Sequence, residues 1–518
     1  MYVKKKKNRS GTVSVVVCEK IKGHYREHTT IGVGITESEI SDLLSKGKVW
    51  IRNYQTKLHP ELDLYGDERH RYEEELHTTE HFLSNIDNIL INGTDLILSR
   101  VFDRIGFNQI KDDIFRKLVI SRLCFPSSKA ATVEYLKNYY DDDVDLSRIY
   151  RYLDRLNDTL KDQVQQISVH HTMDILGGHI GVLFYDVTTL YFETDKEDEL
   201  RKTGFSKEGR HKNPQVILGL LVSLDGYPLA YSIHEGNKYE GHTMLPVIKE
   251  FVNKYHLDNF IVVADSGLMN NDNITELEAL GYKYIIGARI KTESKAIIVQ
   301  ILTHPKEDKK MFEINKGNGR RLLIGYTDDR ARRDVYNRQK GVRRLEKAYK
   351  TGKITKDSIN KRGYNKFLDM SSDVQVKINY EKIEEDTAWD GLKGYLTNTN
   401  IPSEQVYTAY HNLWNVERAF RIAKSKIEIR PMFHFTDHRI KAHVCICFVA
   451  LKVYKELERI LKLSDIKMSV DKVIDMAKTV TTISVYLPLN KCHINRTMIM
   501  KRHQKIAKLF DENFWGTH

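Results

Sequence analysis

Between residues 180 and 286 five short runs are almost wholly apolar: 180–185, 216–223, 229–233, 260–264 and 284–286. Apolar runs of this length without alternation read as strands buried on both faces. Two helix-like stretches, 245–255 and 274–280, separate the later runs. Asp225-Gly226, between the second and third runs, is a hairpin signal. The order is that of a mixed α/β layer sheet: three strands with an antiparallel hairpin, a helix, a strand, a helix and a further strand. Asp186 follows the first run directly and Asp265 follows the fourth. Carboxylates at strand ends converge when their strands are neighbours.

The 518 residues leave room for roughly three or four units of about 150 residues. Residues 1–55 alternate in bursts, as in Thr12-Val13-Ser14-Val15-Val16-Val17, with Gly23 and Gly32 as turn signals, and are expected to form a small β unit. Residues 56–170 turn helical. Ile114, Phe115, Leu118, Val119 and Arg122 fall at helix spacing, Pro126 ends that helix, Ser127-Ser128 can cap the next, and Ile149, Leu153 and Leu156 repeat the pattern. This stretch suits a helical DNA-end-binding domain or a purely structural one equally, and Asp141-Asp142-Asp143 reads as a solvated turn. Residues 171–290 hold the first part of the sheet. Over 291–390 the rhythm lapses, as in an inserted β-rich and basic domain, and it resumes at Gly394-Tyr395-Leu396-Thr397 in a second core part, 391–450. One long helix, with Ser403 as N-cap, is expected to run to about Ser425, and residues 451–518 read as a helical tail.

Charge narrows the partner. Lysine and arginine number 82 against 70 acids, a net +12, and residues 330–362 alone hold 13 bases and 3 acids. Such concentration, with Arg332, Arg333, Arg343 and Arg344 in two pairs, favours a nucleic-acid contact over a merely solvated face. The apolar stretch 444–451 ends at Lys452, short of the about 20 residues that span a bilayer, so no membrane association is expected. No apolar run follows the lysines of the N-terminal MYVKKKKNRS, so no secretory signal is read and the expected compartment is the cytoplasm. The five cysteines include no CxxC pair and read as reduced structural thiols, not zinc ligands.

On the expected helix, Tyr410, Glu417 and Lys424 stand seven residues apart, almost two turns each time, and share one face; Leu413, Trp414, Phe420 and Arg421 lie within a turn of that line. Alone, this is an ordinary surface spacing. Beside Asp186 and Asp265 it gives three carboxylates, and like charges gathered together need a cation. Hard oxygens suit Mg²⁺ or Mn²⁺. Two such ions about 3.5–4 Å apart promote in-line phosphodiester displacement.

The strings FYDVTTLYFE, VVADSGLMN and YHNLWNVERAFRIAKSKIEIRPMFH, with GLLVSLDGYPLAYSIHEGN between the first two, resemble a bacterial insertion-sequence DDE transposase. The subgroup resembled is that of the family-four insertion sequences, with a β-rich insertion and a Tyr-Arg-Glu-Lys helix signature, and the match covers about 170–450. The resemblance implies an α/β, ribonuclease-H-like catalytic core. It makes Asp186, Asp265 and Glu417 the successive catalytic, metal-holding acids, with two Mg²⁺ ions, for which Mn²⁺ can substitute. The interval between the last two acids is roughly twice that between the first two, which agrees with an insertion. Tyr410 and Lys424 are carried over as DNA-phosphate contacts. The signature arginine is absent: its position is Leu413, and Arg418 or Arg421 is left to supply a cation. Lys207, Arg210, Lys212 and Asn237 lie in similar segments and read as DNA contacts or solvated loops; His434 and His443 read as structural histidines.

The leading expectation is an enzyme that binds the terminal inverted repeats of its element, cleaves DNA and joins the freed 3′-hydroxyl to target DNA, as a homodimer on paired ends and nucleoid-associated when bound. The alternatives are a structure-specific nuclease and a non-catalytic DNA-binding protein derived from a transposase. A metal-dependent phosphatase would leave the basic segment unexplained.

Overall fold

A computed structural model describes the chain except residues 59–65, 157, 207–208, 269, 356–358, 360–362, 371–375, 465, 489 and 510–518. It divides into two compact units, Met1–Asn88 with Ser484–Ile494 and Ile89–Ile483 with Asn495–His518. In the first, β1 (Tyr2–Lys7), β2 (Val13–Ile21) and β3 (His24–Gly34) form an antiparallel meander. Lys22 and Gly23 both take positive φ at the β2–β3 hairpin, the twist that matches paired strands. The expected β unit is only partly β. α1 (Glu37–Leu58) follows the meander, with Glu39 accepting from the Ile35 and Thr36 amides and Thr36 Oγ1 accepting from the Glu39 amide. α2 (Gly66–Ser84) comes next, and then a short strand, β4 (Ile86–Leu90).

The second unit opens with five helices: α3 (Gly93–Ile105), α4 (Asp113–Cys124), α5 (Lys129–Tyr140), α6 (Leu146–Arg155) and α7 (Asp158–Ile175). Ser128 caps α5 by accepting from the Ala131 amide. The sheet strands and helices follow: β5 (Val182–Tyr191), β6 (Gln215–Val222), β7 (Pro228–Glu235), α8 (Met244–Tyr255), β8 (Ile261–Ala264), α9 (Asn271–Ala279) and β9 (Lys283–Ala288). Beyond them lie α10 (Lys295–Thr303), β10 (Met311–Gly317), β11 (Arg320–Tyr326), α11 (Asp328–Lys350), β12 (Leu368–Met370), β13 (Val376–Ile378), α12 (Tyr380–Thr387) and β14 (Leu392–Thr397). α13 (Ser403–His411), α14 (Trp414–Ser425) and α15 (Asp437–Leu463) complete the layer.

Eight strands make one sheet in the order β10-β11-β14-β9-β8-β5-β6-β7. β5, β8 and β9 are parallel and every other neighbouring pair is antiparallel. Of the stretch read as an insertion, the β10–β11 hairpin therefore continues the core sheet, with Leu323 paired to Tyr395 of β14; α11 and the β12–β13 pair stand outside it. Period-two side chains divide the core. Phe184, Leu190, Val263 and Tyr395 face one layer with α15, whereas Leu183, Tyr185, Val262 and Ala264 face the other with α8 and α9. Among the described residues no helix is long and apolar enough to cross a membrane. All five cysteines are free thiols; four are buried, and Cys492, unlike the structural expectation, is exposed.

Candidate active site

Asp186 and Asp265 stand at one level of adjacent parallel strands. The β5–β8 register pairs Phe184 with Val263, and each aspartate lies two residues further on. An even step returns each side chain to the face of Phe184 and Val263, the face covered by α13 and α14. The expectation that Asp186 ends its strand is corrected. β5 runs on to Tyr191 because β6 still pairs with it, Asp186 opposite Leu220, after β8 has stopped at Ala264. Asp186 is thus half-buried in a continuing strand, whereas Asp265 is exposed at a true strand end. Arg289 donates to the Ser266 carbonyl at 2.9 Å and ties down the backbone just after Asp265.

Tyr410, in the last turn of α13, donates its hydroxyl to Asp265 Oδ1 at 2.9 Å. Gly287 of β9 makes the approach possible, since a Cβ there would meet the Tyr410 oxygen at 2.6 Å and Asp265 Oδ1 at 3.3 Å. The Tyr410 ring packs edge-on against Tyr395, with centroids 4.9 Å apart, and carries the Lys393 ammonium 5.3 Å from its centroid. Burial, then the Asp265 charge, pushes the Tyr410 phenol well above its ordinary range, so it stays a donor. Burial also pushes the Lys393 ammonium down; Asp265 partly offsets this and Arg330 adds to it.

The single long helix is corrected to two. At Asn412–Leu413 the hydrogen bonds shorten to three-residue steps: Leu413 N to Tyr410 O, Asn415 N to Asn412 O and Val416 N to Leu413 O. The helix is interrupted between Tyr410 and Glu417, yet the Glu417 charge still acts on the Tyr410 phenol. α14 buries Val416, Ala419, Phe420, Ile422 and Ala423 on β5, β6 and α15 and leaves Glu417 exposed in its first turn. Lys424 is half-buried in its last turn, and Arg421 is exposed. Leu413 is core. Arg418 cannot stand in for the missing arginine, since it forms an ion pair with Glu458 of α15. Among the described residues no group of three or more His, Cys, Asp or Glu side chains is arranged to hold a metal ion. The donors near the two sheet acids are hard oxygens, the type Mg²⁺ takes, yet one Asp265 oxygen is occupied by the Tyr410 hydroxyl.

Arg332, Arg333, Arg343 and Arg344 are all exposed on α11. Arg332 is paired with Asp329 at 2.5 Å, and Arg333 lines a cleft that also contains Lys393. Arg210 pairs with Glu193 and stacks over Tyr191, Lys212 and Asn237 are exposed, and Lys207 lies outside the described residues. His443 is buried and within 3.3 Å of the Ile429 carbonyl, as befits a structural histidine. Lys393 was missed by sequence reasoning. Its available signal was a lone cation inside the apolar strand Leu392-Lys393-Gly394-Tyr395-Leu396.

No curated protein matches the chain. Solved structures of transposases are among those similar to the chain. A piggyBac transposase synaptic complex with hairpin DNA is 9% identical at a TM-score of 0.40, over 70% of this chain and 69% of that one. A Mos1 transposase paired-end complex with its left transposon end is 10% identical at 0.15, over 30% and 53%. Both superpositions are too loose to carry residue roles across. The family model of the transposase DDE domain matches residues 177–452, from the turn before β5 to within α15. That segment is more than half of the chain and holds both sheet acids, the Tyr410 contact and Glu417, and by this match the chain belongs to the transposase DDE domain family.

Proposed function

We propose that the chain is the transposase of an insertion sequence, one that cleaves DNA at the element's inverted-repeat ends and joins the freed strand to target DNA. The observation that carries this reading is the level pairing of Asp186 and Asp265 on one sheet face, with Tyr410 fastened to the second acid. The strand order β7-β6-β5-β8-β9, antiparallel on one side of β5 and parallel on the other, supports a ribonuclease-H-like core. Asp186 and Asp265 would hold Mg²⁺, or Mn²⁺ in its place, with Glu417 as the third acid. Two such ions, when bound, supply charge neutralisation and an oxygen nucleophile.

The protein's own residues do the rest. Tyr410 fixes the rotamer of Asp265, Lys424 offers a flexible cation to a DNA phosphate, and exposed Arg332, Arg333, Arg343, Arg344 and Arg421 offer backbone contacts. Cleavage and joining are both in-line transfers, so one site serves both. The helical stretch 56–170 is read as the end-binding region, and pairing of two ends implies a homodimer on DNA. A nucleoid-bound, cytoplasmic protein fits these tasks.

Asp186→Asn and Asp265→Asn should each abolish strand cleavage and joining in Mg²⁺ on labelled end duplexes while end binding persists, because affinity comes mainly from phosphate contacts elsewhere. Cleavage at the normal rate by either variant would remove that residue from the site. Cleavage without any joining by the wild type would make the protein a nuclease.

A further inference from the structure

On the β14 side of Tyr410, whose hydroxyl holds Asp265, a cleft of about 740 Å³ runs between β10, β11, the start of α11 and α13. Lys309, Lys310, Arg330 and Arg333 line it, with Lys393 among its walls; its acids are Asp329 and Glu404, the first already paired with Arg332. Lys393 is the telling residue. It is half-buried on β14, and among the described residues its ammonium makes no hydrogen bond or ion pair, only the contact with the Tyr410 ring. The charges it feels are Asp265, which lies beyond ion-pair distance, and the like charge of Arg330. Holding a cation partly out of water beside another cation is costly unless an anion arrives.

Leu413, at the position where the family signature would carry an arginine, is buried, and Arg418 is committed to Glu458; of the two arginines left to supply a cation only Arg421 stays exposed. We propose that this cleft receives one phosphodiester strand of the DNA and that Lys393 holds the phosphate next to Asp265, as the cation that Leu413 cannot supply. The proposal rests on the DNA-processing reading above. Lys393 is a positioning residue. Its ammonium fixes the phosphate against the acids, while Lys309, Lys310 and Arg333 guide the strand further out.

The test separates binding from cleavage. In an Asp186→Asn background, binding of a labelled terminal-repeat duplex is measured against salt for Lys393, Lys393→Met and Lys393→Arg. The measurement is repeated on a duplex with one neutral methylphosphonate beside the cleavage point. Lys393→Met should lower the log-log salt slope by about 0.9, the value of one phosphate contact, Lys393→Arg should restore it, and the neutral duplex should show no difference. With Asp186 intact, Lys393→Met should slow single-turnover cleavage on the order of 100-fold, as for a displacement of about 1 Å. An unchanged slope, an equal fall on the neutral duplex, or Lys393→Arg as poor as Lys393→Met in a protein that melts normally overturns the proposal. A wild type that shows the Lys393-dependent slope but never cuts would sink the transposase reading and leave this one standing.

Discussion

Two long helices of the second unit, α11 with 23 residues and α15 with 27, carry their charges in opposite ways. α15 is buried along most of its length, and two of its charges inside are matched: Glu456 takes two bonds from Arg459 at 2.7 and 2.8 Å, and Lys455 reaches Glu458 at 2.8 Å. Lys452 is wholly buried, donating to Ser168 O and Thr172 Oγ1 under the Tyr227 ring. α11 buries a single arginine, Arg338, clamped on Asp390 by bonds of 2.6 and 2.5 Å, keeps Arg330 half-buried against the Leu392 carbonyl, and turns Arg332, Arg333, Arg343 and Arg344 outwards. Among the described residues Arg343 and Arg344 have no ion pair. Charge inside the fold is held by partners within the chain, whereas the outward arginines of α11 stand in water, where isolation costs little.

The comparison breaks first, and hardest, at Glu456. Removing it strands Arg459 and His171 around a buried hole, and Glu456→Ala should destabilise the unit by about 3 kcal/mol in urea unfolding, the low end for a broken buried pair because Arg459 reaches solvent. A loss below about 1 kcal/mol would make α15's pairing decorative. Burial pushes the Glu456 carboxyl up, but the hydrogen bonds from Arg459 and the nearby His171 outweigh it and hold it down to about 2. Its contribution is therefore present above the ordinary carboxylate range and is lost as pH falls towards about 2.

Lys452 sharpens the contrast, since burial lowers its ammonium to about 7 despite Glu456 nearby. A base lowered on folding penalises the folded state fully below pH about 7, and the penalty fades as pH rises towards its ordinary range. Lys452→Met keeps the volume and should raise the melting temperature more at pH 6 than at pH 9. Melting curves for the two proteins that run parallel between those pH values would count against a buried, strained charge. The smallest effect on stability belongs to α11. Replacing Arg332, Arg333, Arg343 and Arg344 together by Gln should move unfolding by no more than about 0.5 kcal/mol. The DNA-binding salt slope should fall by about 0.9 for each phosphate that is no longer neutralised, and an unchanged slope would return these residues to plain solvation.

The sheet was legible because its strands are continuous apolar runs, and Asp186 and Asp265 were legible because each interrupts or follows such a run. That β5 continues past Asp186 was not, since Val187–Tyr191 mixes threonines with apolar residues and owes its strand to β6. The α13–α14 break was hidden for a different reason. Neither Pro nor Gly marks Asn412–Leu413, and a change from four-residue to three-residue hydrogen bonds leaves the apolar period nearly intact. Lys393 was illegible because its importance lies in a neighbour on another element, the ring of Tyr410. The β10–β11 hairpin, too, looked like inserted material until its register with β14 joined it to the core sheet.

That register has a mechanical consequence. Only Thr327 separates the end of β11 from the start of α11, and the Arg338–Asp390 clamp fastens the same helix to the residues leading into β14. From β11 through β14 and β9 to β8 the sheet is an unbroken ladder about 14 Å across. A load pulling α11 along the strand direction meets the rungs of that ladder in shear, where they resist together, not one at a time as in peeling. Such a load on the basic helix would be passed along that ladder to β8, the strand that ends one residue before Asp265.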